Sequence, residues 1–194
     1  PSFSGAWRIS EESFMKDFEW LSNAKIRASW GKLGNQEIGL YPYQAMISKV
    51  SSYPFDKNEM SSAFIQTAYV NRNIKWETTT ITDVGLDMLL WNKFNITFDW
   101  YKKETDGILR SAQVSALLGM DAPIINNGTM QDKGIELAFA WNDHTDTKLG
   151  GLDYNVGFYI DRTRNTLVNF GSTEKDGKVI REEGLPYNSY YMLD

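Results

Sequence analysis

The sequence predicts an all-β fold in which the strands form part of a large antiparallel transmembrane β-barrel. Apolar and polar residues alternate through several runs, which is the period of a strand whose two faces meet different surroundings. Very little of the 194-residue chain has helical periodicity, so no layer of helices is available to cover the apolar faces. An apolar sheet face without a protein partner is stable against lipid, provided that the sheet closes into a barrel.

The clearest alternation lies in residues 82–106, where apolar residues occupy even positions and polar residues odd ones. The Asn92-Lys93 step between the two runs predicts a hairpin with a tight turn. The residues of this hairpin that we expect to face lipid are Val84, Leu86, Met88, Leu90, Phe94, Ile96 and Phe98. Asp83 and Asp87 alternate with them and are expected to line a wet lumen. Substitution of Asp87 is then expected to cost little folding free energy, unless Asp87 binds an arginine of the plug or the lumen.

Three further runs show the same division into two faces. They cover residues 24–34, 133–141 and 152–161. The second run adds Ile135, Leu137 and Phe139 to the residues expected to face lipid. The opposite face carries small or charged residues, which suit a wet lumen better than the second layer of a sandwich.

The predicted connections alternate between short and long. Asn92-Lys93 and residues 142–151 are short links, whereas residues 34–73, 102–131 and 164 to the C-terminus are long and polar. Short periplasmic turns and long external loops are typical of outer-membrane barrels. Tryptophans are expected to mark the two membrane boundaries, with Trp91 and Trp141 at the short-turn end and Trp76 and Trp100 at the long-loop end.

One segment, residues 10–21, favours a short periplasmic helix. Ser10 is a candidate N-cap, and Glu11 and Glu12 suit the first turn of a helix.

Composition argues against several functional classes. A net charge of −5 and a pI near 5.0 disfavour a nucleic-acid surface, which needs clustered Lys and Arg. The absence of Cys removes thiol chemistry, and the single His144 has no second histidine for a metal site. Its neighbours Asp143 and Asp146 are interpreted as solvated turn residues. We predict no enzymatic activity, no metal and no cofactor.

Tyrosines are the candidate ligand-contacting residues of the first long loop. Tyr41, Tyr43 and Tyr53 are placed to stack on sugar rings, or alternatively to pack the loop against its neighbours or a lid protein. The chain begins with Pro1 and without a start Met, which suggests a piece excised from a longer polypeptide.

Successive motifs resemble landmarks of the SusC/RagA family of TonB-dependent outer-membrane transporters. They occur in family order along nearly the whole chain, as SWGKLGNQEIGLYPY (29–43), NRNIKWETT (71–79), DVGLD (83–87), FDWYKKETDGIL (98–109), NNGTMQDKGIEL (126–137), RNTLV (164–168) and EEGLPYNSYY (182–191).

The resemblance implies more than the alternation predicts. Members of this family are barrels of about 22 strands with an N-terminal plug, energised by the TonB complex and paired with a SusD-like surface lipoprotein that lids the barrel. It implies that residues 1–194 are a portion of the C-terminal half of such a barrel, without the plug and the final strands. The implied function is import of a bulky substrate, an oligosaccharide or a peptide, across the cell outer membrane, and the oligosaccharide is favoured.

Two other functions stay open from the residues alone. A soluble β-rich carbohydrate-binding or adhesion module has comparable aromatic residues, but it needs a second sheet to bury Val84, Leu86, Phe94 and Ile96. A passive porin has the same alternation.

Overall fold

The computed structural model describes residues 1–35, 37, 41, 43–56, 59–115, 117, 119–147 and 150–192, with backbone alone for residues 50–56, 59–61 and 147. Its main feature is a 6-stranded antiparallel sheet in which each strand pairs with the next sheet strand along the chain. In chain order these strands are β1 (Ser2–Trp7), β2 (Leu21–Asn35), β5 (Glu77–Leu90), β6 (Phe94–Asp106), β9 (Thr129–Thr147) and β10 (Gly150–Asn169). The all-β prediction is confirmed.

The sheet is open, because β1 and β10 each pair on one side only within the described chain. The sequence analysis did not identify β1, whose small residues Ser2, Ser4, Gly5 and Ala6 weaken the alternation. Large parts of both edge strands are exposed.

The predicted tight hairpin joins β5 and β6, one residue earlier than expected. Trp91 and Asn92 occupy the central positions with φ of 51° and 56°, and the Lys93 N–H donates to the Leu90 carbonyl at 3.0 Å. Two consecutive positive φ values and this hydrogen bond define a type I′ turn, whose twist matches that of the flanking strands.

The second predicted short link, residues 142–151, is mostly strand. β9 and β10 remain paired from Asn142–Asn155 to Thr147–Gly150. These pairs lie beyond the row in which Trp141 faces Phe94, so a two-stranded ribbon projects past the β5–β6 turn by about 20 Å. Residues 142–151 are mostly polar or glycine, so no apolar alternation predicted this part of the two strands.

The helix predicted for residues 10–21 is wrong. The segment forms two 3₁₀ turns, Ile9–Glu11 and Ser13–Met15, at the short-turn end of the sheet. The Ser10 hydroxyl contacts Asn23 Oδ1 at 3.4 Å instead of capping a helix. A helix of this length is marginal without an apolar surface to pack on, and Phe14 and Phe18 remain 57% and 43% exposed.

The three segments expected to be long loops contain additional short strands. They are β3 (Ile47–Asp56), β4 (Glu59–Gln66), β7 (Leu109–Ser111), β8 (Ile124–Asn126), β11 (Glu174–Asp176), β12 (Val179–Arg181) and β13 (Ser189–Tyr190). Leu167, Phe170 and Ile180 are buried where the last of these strands meet the end of β10, and they form a small core there. No helix in the described ranges has the length and apolarity of a membrane span.

Candidate functional site

The main sheet has one apolar and one polar face, and the strand register shows how the two are built. Leu86 lies opposite Ile26 on β2 and Phe98 on β6, and Phe98 lies opposite Leu137 on β9. Because side chains alternate between faces along a strand, this row assigns every second residue of each strand to the same face.

All of the residues predicted to face lipid occupy the apolar face. Val84, Phe98 and Ile135 are 41%, 36% and 45% exposed, which is high for large apolar side chains in a sheet centre. Leu90 differs, because it lies between Leu21 and Phe94 at the end of the sheet and is only 9% exposed. Contact of this face with lipid stays a prediction.

The polar face is organised around Arg27, which the sequence analysis did not single out. Its guanidinium donates to both Asp87 oxygens at 2.7 and 3.1 Å and to Asp99 Oδ1 at 2.8 Å. Gly85 makes this bridge possible, because a Cβ there would lie 2.7 Å from Arg27 Cζ. The sequence did contain a signal, because Arg27, Asp87 and Asp99 each occupy a polar position of an alternating run.

A second bridge crosses the polar face closer to the long-loop end. The Tyr101 hydroxyl is 2.8 Å from Thr163 Oγ1, two strands away. Its ring lies over Gly134, where an added Cβ would meet ring atoms at 2.5 Å. Aromatic coverage of a glycine on the neighbouring strand fixes the register of the sheet.

Two of the long loops meet at a half-buried arginine, Arg110. It donates to the Asn127 carbonyl at 3.1 Å and to the Phe170 carbonyl at 2.8 Å, and it pairs with Glu174. Its guanidinium lies 4.0 Å above the Phe170 ring. Because these partners come from two different loops, Arg110 joins them into one body; we call this the Arg110 junction.

Glu183 stabilises the same junction from its outer side. Its carboxylate accepts N–H bonds from Phe170 at 3.0 Å and Gly171 at 3.2 Å, which lower the pKa of Glu183. The landmarks NNG, RNTLV and EEGLPYNSYY thus meet in space, since the Leu167 N–H also donates to the Leu185 carbonyl and the Leu167 carbonyl accepts from the Gly184 N–H.

The candidate ligand-contacting tyrosines are only partly described. Tyr41 and Tyr43 are 60% and 47% exposed, and their ring centroids are 6.3 Å apart at an interplanar angle of 65°. They follow β2 at its long-loop end, as expected. The side chain of Tyr53, in β3, lies outside the described residues.

His144 lies in the projecting ribbon and not in a turn. Its Nδ1 is 2.7 Å from Asp153 Oδ1 and its Nε2 is 3.2 Å from Asp146 Oδ1. These contacts raise the pKa of His144, with the Asp153 hydrogen bond as the largest cause. Among the described residues, no group of three or more His, Cys, Asp or Glu could hold a metal ion.

Comparisons with known proteins agree on one family. A family model described as "TonB dependent receptor-like, beta-barrel" matches residues 1–192. TonB-dependent receptor P3 of Formosa agariphila is 31% identical over 87% of this chain and 16% of its own length. TonB-dependent receptor SusC of Bacteroides thetaiotaomicron is 31% identical over 99% of this chain and 21% of its own length.

Solved structures show a similar fold. A chain in the structure of the RagAB peptide importer in its closed-closed state aligns with a TM-score of 0.81 and 23% identity. The alignment covers 98% of this chain and 21% of that one. The chain therefore spans about a fifth of the length of the proteins that it resembles.

Proposed function

The chain belongs to the TonB-dependent receptor β-barrel family and is an outer-membrane barrel segment of the SusC/RagA type, and from this premise we propose that it forms wall and outer loops of a nutrient importer. Residues 1–194 are a portion of the C-terminal half of that barrel. β1 and β10 pair with strands from other segments of the whole protein, because unpaired backbone groups in the membrane core cost several kcal/mol each.

The observation that carries this proposal is the division of the 6-stranded sheet into an exposed apolar face and a polar face with internally paired charges. A soluble sandwich buries its apolar face, whereas Val84 and Ile135 are among the more exposed apolar residues of the sheet centre. We assign the apolar face to lipid and the polar face, with Arg27, to the lumen.

We propose that the cargo is a bulky oligosaccharide. Support comes from Tyr41 and Tyr43, because aromatic rings exposed to water provide apolar faces on which sugar rings stack. The rival cargo is a peptide, since the RagAB neighbours are peptide importers. The proposed partners are a SusD-like lipoprotein, which covers the external side, and the TonB complex, which acts through other parts of the whole protein.

Uptake by cells carrying the full-length protein tests this proposal. We expect uptake of labelled oligosaccharide to depend on the full-length gene and to stop on addition of a protonophore, because TonB-linked transport requires energy from the inner membrane. A passive porin continues to admit the label under the same treatment. Uptake of labelled peptide in place of oligosaccharide overturns the assigned cargo and leaves import intact.

The role of the tyrosines is tested separately. Replacing both Tyr41 and Tyr43 with Ala is expected to weaken oligosaccharide capture about 10-fold, from ~0.5–1.5 kcal/mol per lost stacking contact. Tyr190→Ala is the matched control, since Tyr190 is also external and is 83% exposed. Equal capture by both variants contradicts the stacking role, and loss of co-purified lipoprotein from the Tyr41/Tyr43 variant assigns the pair to lid binding.

A further inference from the structure

A row of basic side chains crosses the apolar face of the sheet at its long-loop end. Lys102 on β6 lies directly opposite Lys133 on β9, and Lys133 lies directly opposite Arg164 on β10. Arg162 is one step closer to the sheet centre on the same face, opposite Ile135. Since lipid-facing residues alternate with lumen-facing ones, all of these cations point away from the lumen. We call Lys102, Lys133, Arg162 and Arg164 the outer basic row.

The same cross-strand row continues into an aromatic pair. Lys102 lies opposite Thr82, Thr82 opposite Trp30, and Trp30 opposite Phe3. The rings of Phe3 and Trp30 stack with centroids 6.0 Å apart. Trp at the end of an apolar band marks the level of the lipid headgroups in membrane barrels. Trp100, on the same face of β6, lies one step closer to the sheet centre than Lys102, so we place the outer basic row at headgroup level on the external side.

Three of the four cations in this row make no ion pair with another described residue, in contrast to those of the lumen face. Lys102 pairs with Glu104 at 2.9 Å, but Lys133, Arg162 and Arg164 make no ion pair within the part of the chain that the structure describes. On the lumen face, Lys25, Arg27 and Lys103 all pair with aspartates. Lys133 and Arg164 are also exposed.

Placing like charges directly opposite each other on neighbouring strands is destabilising. The cost is larger at the edge of a membrane, where the low dielectric strengthens their repulsion. An anion bound across the row removes this repulsion. Arginine and lysine are the side chains that bind phosphate, and arginine does so through paired hydrogen bonds.

We propose that the outer basic row binds the phosphate groups of a phosphorylated glycolipid in the outer leaflet. A membrane lipid fits better than a soluble anion, because the apolar face continues directly below the row through Ile135, Leu137 and Ile160 and there meets the acyl chains. A shallow cavity of about 340 Å³ beside Gly5, Ala28 and Val84 interrupts the same face and offers space to an acyl chain. The site depends on the outer-membrane location and is independent of the cargo.

The test measures binding of fluorescent phosphorylated lipid A to the full-length protein in detergent micelles. The double variant Lys133→Gln/Arg164→Gln is expected to bind about 30-fold more weakly, from ~1 kcal/mol per basic residue near an anionic surface at 1.4 kcal/mol per tenfold. The matched control is Arg72→Gln/Lys178→Gln, which removes the same charge from exposed external positions outside the row. We expect the control to bind as the parent does.

Two further probes separate the headgroup from other anions. Dephosphorylated lipid A is expected to bind the parent as weakly as phosphorylated lipid A binds the row variant. Inorganic phosphate at the same phosphate concentration is expected not to displace the lipid, since it lacks the acyl chains. Displacement by inorganic phosphate, or equal weakening in both double variants, overturns the proposal.

The unfolding midpoint of the lipid-free protein in detergent shows whether the row variant folds. Removing two members of a like-charge row should leave the detergent unfolding midpoint of the lipid-free variant equal to or above that of the parent. Added lipid A should then raise the midpoint of the parent and not that of the variant. Equal stabilisation of both by lipid A also overturns the proposal, whereas uptake of cargo bears only on the importer function.

Discussion

Arg27 and Asp87 hold neighbouring strands together on the polar face of the sheet, with Arg27 Nε donating to Asp87 Oδ2 at 2.7 Å. The two residues are not direct cross-strand partners, since Arg27 lies opposite Gly85 and Asp87 opposite Lys25. The diagonal reach is possible because Gly85 leaves the space for the guanidinium. A third strand joins through Asp99, so a single cation ties β2, β5 and β6 together.

Asp87→Arg is therefore expected to destabilise the barrel. The substitution removes two charged hydrogen bonds and adds a cation beside Arg27 and Lys25. The side chains are about a third exposed, so we expect a loss of ~2 kcal/mol and not the full value of a buried pair. Denaturant unfolding of the full-length protein in detergent measures this loss.

Asp83→Arg is the control for that prediction. Asp83 lies on the same strand and face as Asp87, yet it makes no ion pair among the described residues. We expect its substitution to change the free energy of unfolding by at most about 0.5 kcal/mol. Equal losses at the two positions would contradict a specific role for Asp87.

Leu86→Arg tests the opposite face. Leu86 lies in the central row of the apolar face, so an arginine there has neither water nor a partner if that face meets lipid. The expected cost is about 2–4 kcal/mol of folding free energy, as for arginine near the midplane of a membrane barrel. A soluble core gives a similar penalty, so stability is combined with a measurement of solvent contact.

Labelling of Leu86→Cys and Asp87→Cys in native membranes makes that measurement. The chain has no cysteine of its own, so each site in this segment is labelled singly. Asp87→Cys should react with a water-soluble thiol reagent, and a probe on Leu86→Cys should respond only to a lipid-phase quencher. The reverse pattern is incompatible with a lipid-facing Leu86.

The wall of the barrel could be predicted from the sequence because two solvents impose a strict period on it. Lipid outside and water inside require alternation wherever a strand crosses, and residues 83–88 of β5 and 94–100 of β6 show it. The period is absent where both faces of a strand meet the same solvent. Residues 142–146 of the ribbon are polar at every position, and small residues interrupt the apolar series in β1, so neither segment was predicted as a strand.

The interactions that organise the site could not be predicted, because they join residues distant in sequence. Arg27 meets Asp99 across 72 positions, and Arg110 meets Glu174 across 64. Composition shows that such charges exist but not which pairs form. The diagonal offset at Gly85 and the meeting of the loops at Arg110 depend on register and loop path, which only the structure supplies.

Arg110→Met should loosen the external loops without opening the barrel. The side chains of Arg110 and Glu174 are 17% and 15% exposed, and removal of one partner from a fully buried pair costs about 3–5 kcal/mol. Glu174 keeps a second cation, Arg181, at 3.8 Å. We therefore expect the free energy of local opening to fall by about 3 kcal/mol, the lower end of that range. Hydrogen exchange should quicken in β7, β8 and residues 170–185 and remain unchanged in β5 and β6.

Glu183 makes the stability of the Arg110 junction depend on pH. The N–H bonds from Phe170 and Gly171 lower its pKa, so its contribution is present above the ordinary value of 4.5 and is lost as the pH falls through the lowered value. Hydrogen exchange of residues 170–171 should therefore quicken on acidification, after correction for the intrinsic rate. Glu183→Gln should remove that acid dependence, and persistence of the dependence in this variant would assign it to another group.

His144 should make the projecting ribbon weaker as the pH rises. Its pKa is raised above 6.5 because the protonated ring donates to Asp153 and Asp146, so its contribution is complete below pH 6.5 and is lost as the pH rises through the raised value. An NMR titration, with the His144 signal assigned by its absence in His144→Gln, measures this pKa. Asp153→Asn should lower it more than Asp143→Asn does, because Asp153 contacts the ring directly whereas Asp143 pairs with Lys93 at 2.7 Å. A pKa at or below 6.5 in the parent would show that the ring does not bridge the two carboxylates in solution.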